Sequence, residues 1–174
     1  GVPLLKANDR LAFRWAGQEE IFSLWESAEG GGAPVYFIDK PALFDREFLY
    51  GSPSGDYPDN GERFAFFSKA ALESLKAVDF APDVLHVHDW QTAIALAYLK
   101  HVYAADPFFA GPRSLFTIHN LAYQGLFEPS ILKSVGLPES LFGIEGLEFY
   151  GKVNFLKAGI LYADAISTVS FRYS

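Results

Sequence analysis

Pro82-Asp-Val-Leu-His-Val-His-Asp-Trp90 reads as a short, almost continuous apolar strand that runs into a helix. Asp89 stands where an N-cap is expected, and the helix runs from about Trp90 to Tyr103. Pro112 then leads into a second strand, Ser114 to Ile118, which ends at His119-Asn120. Further on, Val153 to Tyr162 reads as a mostly buried helix and Ala165 to Val169 as a third strand. Strand, helix, strand, helix, strand is the order of a parallel α/β sheet. In such sheets ligands sit outside the carboxyl ends of the strands. The strand ends at His88-Asp89 and His119-Asn120 should therefore open onto one edge, where a polar cluster of Asp89, Trp90, His119 and Asn120 collects.

Outward from this centre the signals are weaker. Leu11 to Trp15 and Ile21 to Trp25 read as short extended pieces, Glu29 to Pro34 as turn material, and Val35 to Asp39 as a buried strand. Residues 51 to 61 are rich in Gly, Pro, Ser and Asp and read as a loop. A helix is expected from about Glu62 to Val78, with Phe64, Phe67, Ala71, Leu75 and Val78 as its buried stripe. Asn120 to Gly151 reads as a long loop with short helical pieces. Most of the Phe and Tyr residues are expected to serve the core. All 174 residues are assigned to a single, partial domain.

Composition narrows the function. A net charge of −7 with no basic run argues against nucleic acid and anionic membrane as partners, because both want concentrated positive charge. No cysteine is present, which removes disulfides, thiolate metal sites and cysteine nucleophiles. No apolar stretch is long enough to span a bilayer and no leader opens the chain. It begins at Gly1 and contains no methionine, so natural sequence is expected to precede it. There is neither a Gly-rich phosphate loop nor a nucleophile elbow.

Each chemical candidate has a structural competitor. Asp89 can cap its helix and still face a ligand, since a carboxylate has two oxygens. His119 can donate to a phosphate or a sugar hydroxyl, or be satisfied by backbone. Asn120 can face a ligand or serve a turn. His86 and His88 point to one face of their strand, a spacing that suits metal-dependent hydrolases. A third ligand is not evident, because the remaining histidines are His119 and His101, and His101 lies at the far end of a helix. His86 is instead expected to be buried with a hydrogen-bonded partner, and no metal or other cofactor is expected.

Several strings in order resemble bacterial glycogen synthases and plant starch synthases: His86-Val-His-Asp-Trp90, Thr117-Ile-His-Asn-Leu-Ala-Tyr-Gln-Gly125, Gly146-Leu-Glu-Phe-Tyr-Gly151 and Phe155-Leu-Lys-Ala-Gly159. Ala163-Asp164 and Ser167-Thr-Val-Ser170 follow, while Tyr36-Phe-Ile-Asp39, Phe44-Asp-Arg46 and Tyr50-Gly51 precede them. The resemblance covers nearly the whole chain and loosens in the first thirty residues.

The resemblance implies a retaining, metal-independent glucosyltransferase of the GT-B type, built of two Rossmann-like domains that face a cleft. Such an enzyme moves glucose from ADP-glucose to the non-reducing end of an α-1,4-glucan in the bacterial cytoplasm, or in a plastid. Carried over position by position, Asp89 and His119 match polar residues at the reaction centre. Tyr50, Trp90 and Asn120 match the sugar-facing wall. A non-catalytic glucan-binding module, or a hydrolase built on His86 and His88, are the competing readings. The family's Lys-x-Gly-Gly string would lie before Gly1, and the C-terminal nucleotide domain would follow Ser174. The chain is therefore expected to be an incomplete N-terminal domain, inactive alone. Phe171 stands where a proline commonly follows the serine.

Overall fold

The computed structural model describes residues 3–27 and 32–170. It opens with β1 (Leu4–Trp15) and β2 (Gln18–Ser27), an antiparallel hairpin that continues into β3 (Tyr36–Asp39). Ala16 and Gly17 join the first two strands with φ of 49° and 84°. Positive φ at both central residues matches strand twist and permits only an antiparallel return. This is why the first third of the chain forms a sheet of its own rather than joining a parallel one. The short pieces expected at Leu11 and Ile21 are thus the inner parts of longer strands. Residues 29–31 of the expected turn lie outside the described residues. β3 is an edge strand rather than a buried one, with Tyr36 and Phe37 exposed.

A turn of helix, α1 (Pro41–Phe44), and a small hairpin, β4 (Gly51–Ser52) with β5 (Gly55–Asp56), lead to α2 (Asn60–Ala77). The helix starts inside the stretch expected to be loop. Its apolar stripe also differs from the expected one. Ala65, Phe66, Ala70 and Leu72 are buried, whereas Phe67 is exposed and Ala71, Leu75 and Val78 are half-covered. The reason is that α2 is wedged between two cores. Phe66 and Ala70 face Phe13, Phe22 and Leu24 of the hairpin sheet, while Phe64, Ala65 and Leu72 face the main core.

The parallel unit follows: β6 (Val84–His88), α3 (Asp89–His101), β7 (Arg113–Ile118), α5 (Phe155–Tyr162) and β11 (Ala165–Thr168). The strand order is β11-β7-β6, with both pairings parallel, as the alternation of strands and helices required. Between β7 and α5 run β8 (Leu126–Phe127), α4 (Ile131–Ser134), β9 (Glu148–Phe149) and β10 (Lys152–Asn154). This is the expected long loop with short helical pieces, stiffened by the small antiparallel sheet β8-β10-β9. α5 begins two residues later than expected because Asn154 ends β10 and caps the helix, its side chain accepting the Lys157 N–H at 2.9 Å.

α3 and α5 cover one face of the parallel sheet, burying Ile94, Leu96, Phe116, Phe155 and Leu156. Gly159 lets α5 approach β7, since a Cβ there would stand 2.5 Å from the Phe116 ring. Two hydrogen bonds tie the hairpin sheet to this core. Trp15 Nε1 donates to Tyr98 Oη at 3.1 Å, and the buried Lys69 donates to the Arg14 carbonyl at 2.6 Å. Phe37, Phe80, Tyr123 and Tyr150 are exposed, so the aromatic residues serve the core less completely than expected. Among the described residues no helix is long and apolar enough to cross a membrane.

Candidate active site

Because β6 and β7 are parallel, with His88 opposite Thr117, their carboxyl ends deliver His88-Asp89 and His119-Asn120 to one edge. Asp89 does not cap its own helix. His88 occupies the cap position, and the Thr92 hydroxyl closes the first turn, accepting the His88 N–H and donating to the His88 carbonyl, both at 2.6 Å. Asp89 is instead turned across the edge with φ of 51°. Its Oδ1 accepts the backbone N–H of His119 at 2.7 Å and of Asn120 at 3.3 Å. Both N–H groups lie where β7 has left the sheet and needs new acceptors. A charged acceptor makes such bonds strong, and a left-handed φ on a non-glycine residue costs energy that these bonds offset.

The histidines form a row. His86 Nε2 is hydrogen-bonded to Thr117 Oγ1 at 2.6 Å, and Thr117 Oγ1 to Ser167 Oγ at 2.7 Å, a polar chain across all three parallel strands. His86 thus has the expected partner, but it is exposed rather than buried. His88 Nδ1 meets His119 Nε2 at 3.1 Å, and the His86 and His88 rings lie 4.1 Å apart. Partial desolvation, then the proximity of His86 and His119, holds His88 below the ordinary imidazole value of 6.5, with Asp89 pulling the other way. These effects favour the neutral imidazole at His88. Among the described residues no group of three His, Asp or Glu side chains is placed to hold a metal. One ring nitrogen of each of His86 and His88 is engaged, and no third ligand is placed with them among the described residues, as the hydrolase reading would need.

Beside this row lies a cavity of about 500 Å³. Tyr50, Asp89, Trp90 and Asn120 line it, as expected, together with Asp56, Asn60, Gln91 and Tyr123. His119 stands next to the cavity rather than in its wall. Trp90 contributes little surface, being 8% exposed and packed edge-on against Phe64 at 5.0 Å. Asn120 serves the turn as well, its Oδ1 accepting the Ala122 N–H at 3.0 Å. Gln91 Nε2 donates to Tyr50 Oη at 3.0 Å. This bond separates the cavity from a more apolar one of about 510 Å³ that shares Tyr50, Asp89 and Gln91.

Sequence reading missed Asp56, Asn60 and Gln91. Asp56 and Asn60 sit in a stretch whose composition signals only a loop, and Gln91 is one residue past the strand end. Tyr123 carried a signal, since it falls inside the Thr117 to Gly125 string. The wall is polar and aromatic, with two carboxylates and, among the described residues, no lysine or arginine. Such a surface suits a neutral, hydroxyl-rich ligand and not a phosphate, which calls for cationic donors.

A family model described as the starch synthase catalytic domain matches residues 4–174. The chain is 53% identical over 143 residues to glycogen synthase 2 of Geobacter sulfurreducens, covering 82% of this chain and 30% of that protein. It is also 53% identical over 172 residues to glycogen synthase 2 of Geobacter metallireducens, covering 99% of this chain and 35% of that protein. Among solved structures it matches the catalytic domain of starch synthase IV from Arabidopsis thaliana, bound to ADP and acarbose, with a TM-score of 0.84 and 32% identity. That match covers 96% of this chain and 34% of the other. The architecture is thus α/β with a parallel sheet, of the GT-B type. The chain spans about a third of the length of these relatives.

Proposed function

The chain belongs to the starch synthase catalytic-domain family, and we propose that it forms the acceptor side of an enzyme that transfers glucose from ADP-glucose to the non-reducing end of an α-1,4-glucan with retention. The observation that carries this reading is the cavity at the ends of β6 and β7, polar and aromatic but without a cation in its wall. A glucan end offers hydroxyls and no charge, which is what Asp56, Asp89, Gln91 and Asn120 can hydrogen-bond, whereas the Asn60 amide is buried and committed to Tyr50 and Arg63. The solved relative was bound to ADP and acarbose. In the proposal the cations that hold the nucleotide come from the part of the relatives this chain does not span. This polypeptide alone is accordingly expected to give negligible turnover.

In this reading His119 and Asp89 are the catalytic residues, and Tyr50, Trp90 and Asn120 bind sugar. Departure of the nucleotide builds positive charge on the glucosyl ring and negative charge on the leaving phosphate. A hydrogen bond from His119 to glucosyl or phosphate oxygens favours that separation. Asp89 Oδ1 is committed to backbone, while Oδ2 has no protein partner among the described residues, which leaves it to orient a sugar hydroxyl. No covalent glucosyl intermediate on Asp89 is proposed. The reaction calls on no metal or cofactor, and a cytoplasmic site of action is part of the same proposal.

The test is labelled-glucose transfer into glycogen by an intact parent polypeptide of the relatives' full length, with ADP-glucose and UDP-glucose offered separately and His119→Ala as control. Transfer from ADP-glucose that collapses in the variant supports the family chemistry and the site together. A folded protein that transfers from neither donor yet is retarded in glycogen-containing gels would instead be a glucan-binding module.

A further inference from the structure

Among the described residues Arg63 is the largest side chain withdrawn from solvent, at 1% exposed, and no carboxylate touches it. Its nearest acid, Asp59, is taken by Arg46 in a two-pronged pair at 2.6 and 2.9 Å. The guanidinium is held by three neutral acceptors. Nε donates to the Leu43 carbonyl at 2.8 Å, and Nη1 donates to the Leu49 carbonyl at 3.0 Å and to Asn60 Oδ1 at 2.6 Å. Phe44, Tyr57 and Phe64 surround it, with ring centroids 5.8, 5.2 and 5.5 Å away. Burying a cation without a counter-charge is unfavourable. Its desolvation accordingly lowers the guanidinium pKa. An apolar side chain would serve the core at least as well, so this placement points to a task other than stability.

The three acceptors identify that task. Leu43 and Leu49 bracket the irregular segment that ends at Tyr50, and Asn60 grips Tyr50 itself, its Nδ2 donating to the Tyr50 carbonyl at 2.7 Å. The Tyr57 N–H adds a second bond to the same carbonyl at 2.9 Å. The planar fork of one arginine therefore fixes both ends of the segment and orients the amide that holds its last residue. Tyr50 then presents its ring to the cavity and its hydroxyl to Gln91. We propose that Arg63, which does not line the cavity, is a positioning residue for Tyr50 and sets the affinity for the acceptor glucan through it. The inference rests on the acceptor-side reading of the cavity given above.

The experiment compares Arg63→Lys, Tyr50→Ala and the double variant in the intact parent polypeptide of the relatives' full length, measuring glucose transfer and retention in glycogen gels. Lysine keeps the charge but lacks the fork. Arg63→Lys should raise the glucan KM about ten-fold, with kcat at saturating glucan and the ADP-glucose KM changed less than about two-fold. In the Tyr50→Ala background it should add nothing, because its only route to the glucan has been removed. Asn60→Asp is the second variant. It keeps an acceptor for Arg63 but cannot donate to the Tyr50 carbonyl, and it should raise the glucan KM likewise, again only when Tyr50 is present. Equal losses in kcat and both KM values, or an added effect without Tyr50, would make Arg63 a stability residue and overturn the inference. If the wild type transfers from no donor, the enzyme reading fails alone. Gel retention then decides the role of Arg63, and loss in Arg63→Lys to the level of Tyr50→Ala upholds it. A wild type that neither transfers nor is retained overturns both.

Discussion

The Asp89 carboxylate accepts the backbone N–H of His119 at 2.7 Å, so the residue that follows β6 fixes the residue that follows β7. The two expected catalytic positions are thus one mechanical unit. Asp89→Ala removes the acceptor for two N–H groups and frees the His119-Asn120 turn. Displacements of about 1 Å near a reaction centre can cost about 100-fold in rate, and a loss of that size is expected in the transfer assay. Asp89→Asn keeps an acceptor oxygen and should retain distinctly more activity than Asp89→Ala. Equal losses in both variants would assign the whole effect to the negative charge.

Gly159→Ala should destabilise the fold. A Cβ at this position would lie 2.5 to 2.6 Å from three atoms of the Phe116 ring, in the contact between α5 and β7. Overpacking of this kind costs about 1–3 kcal/mol, offset by about 1 kcal/mol of helix propensity. Urea denaturation should show a lower midpoint at unchanged slope.

Gly125→Ala should act on the cavity wall. Gly125 has φ of 63°, and a Cβ would stand 2.5 Å from Trp90 Cε3. Trp90 would have to shift, and Trp90 lines the cavity. Weaker retention in glycogen gels is expected along with a stability loss of about 1–3 kcal/mol. Full retention with normal stability would mean that the indole adapts freely.

Asp164 should leave a pH signature. It accepts from the Ser114 N–H at 2.7 Å, the Ser114 hydroxyl at 2.8 Å and Arg113 at 3.1 Å, and these bonds lower its pKa from 3.8 to about 2. A carboxylate lowered on folding stabilises the native state above its unfolded pKa, and the contribution fades as pH falls through the folded one. Asp164→Asn should therefore be less stable than wild type at neutral pH, with the difference closing between about pH 4 and pH 2. A difference independent of pH would indicate that only hydrogen-bond geometry matters.

Local pattern carried the parallel unit. Val84 to His88, Arg113 to Ile118 and Ala165 to Thr168 are short apolar runs separated by helical segments, and that alternation constrains pairing direction and strand ends. Asp89, Trp90 and Asn120 were legible for the same reason, while Tyr50 was reached only through the family string that carries it. The hairpin sheet was half legible. Its strands showed alternation, but the antiparallel return depends on Ala16 and Gly17 both adopting positive φ, and Ala16 gives no sign of it. The buried face of α2 was misread because periodicity reports one stripe, and a helix between two cores needs two.

By itself, then, the sequence determined the order and direction of β6, β7 and β11, the edge where polar residues collect, and the family. Its local patterns act over a few residues, and strand alternation and turn chemistry are properties of that range. Only the tertiary structure decided what those residues bond to. Asp89 reaches His119 thirty positions away rather than its own helix, and Asn60 and Gln91 enter the wall beside Tyr50. Partners at such separations meet because packing brings their backbones together. A carboxylate takes the acceptor-hungry N–H groups packing sets before it, whatever its local propensity to cap.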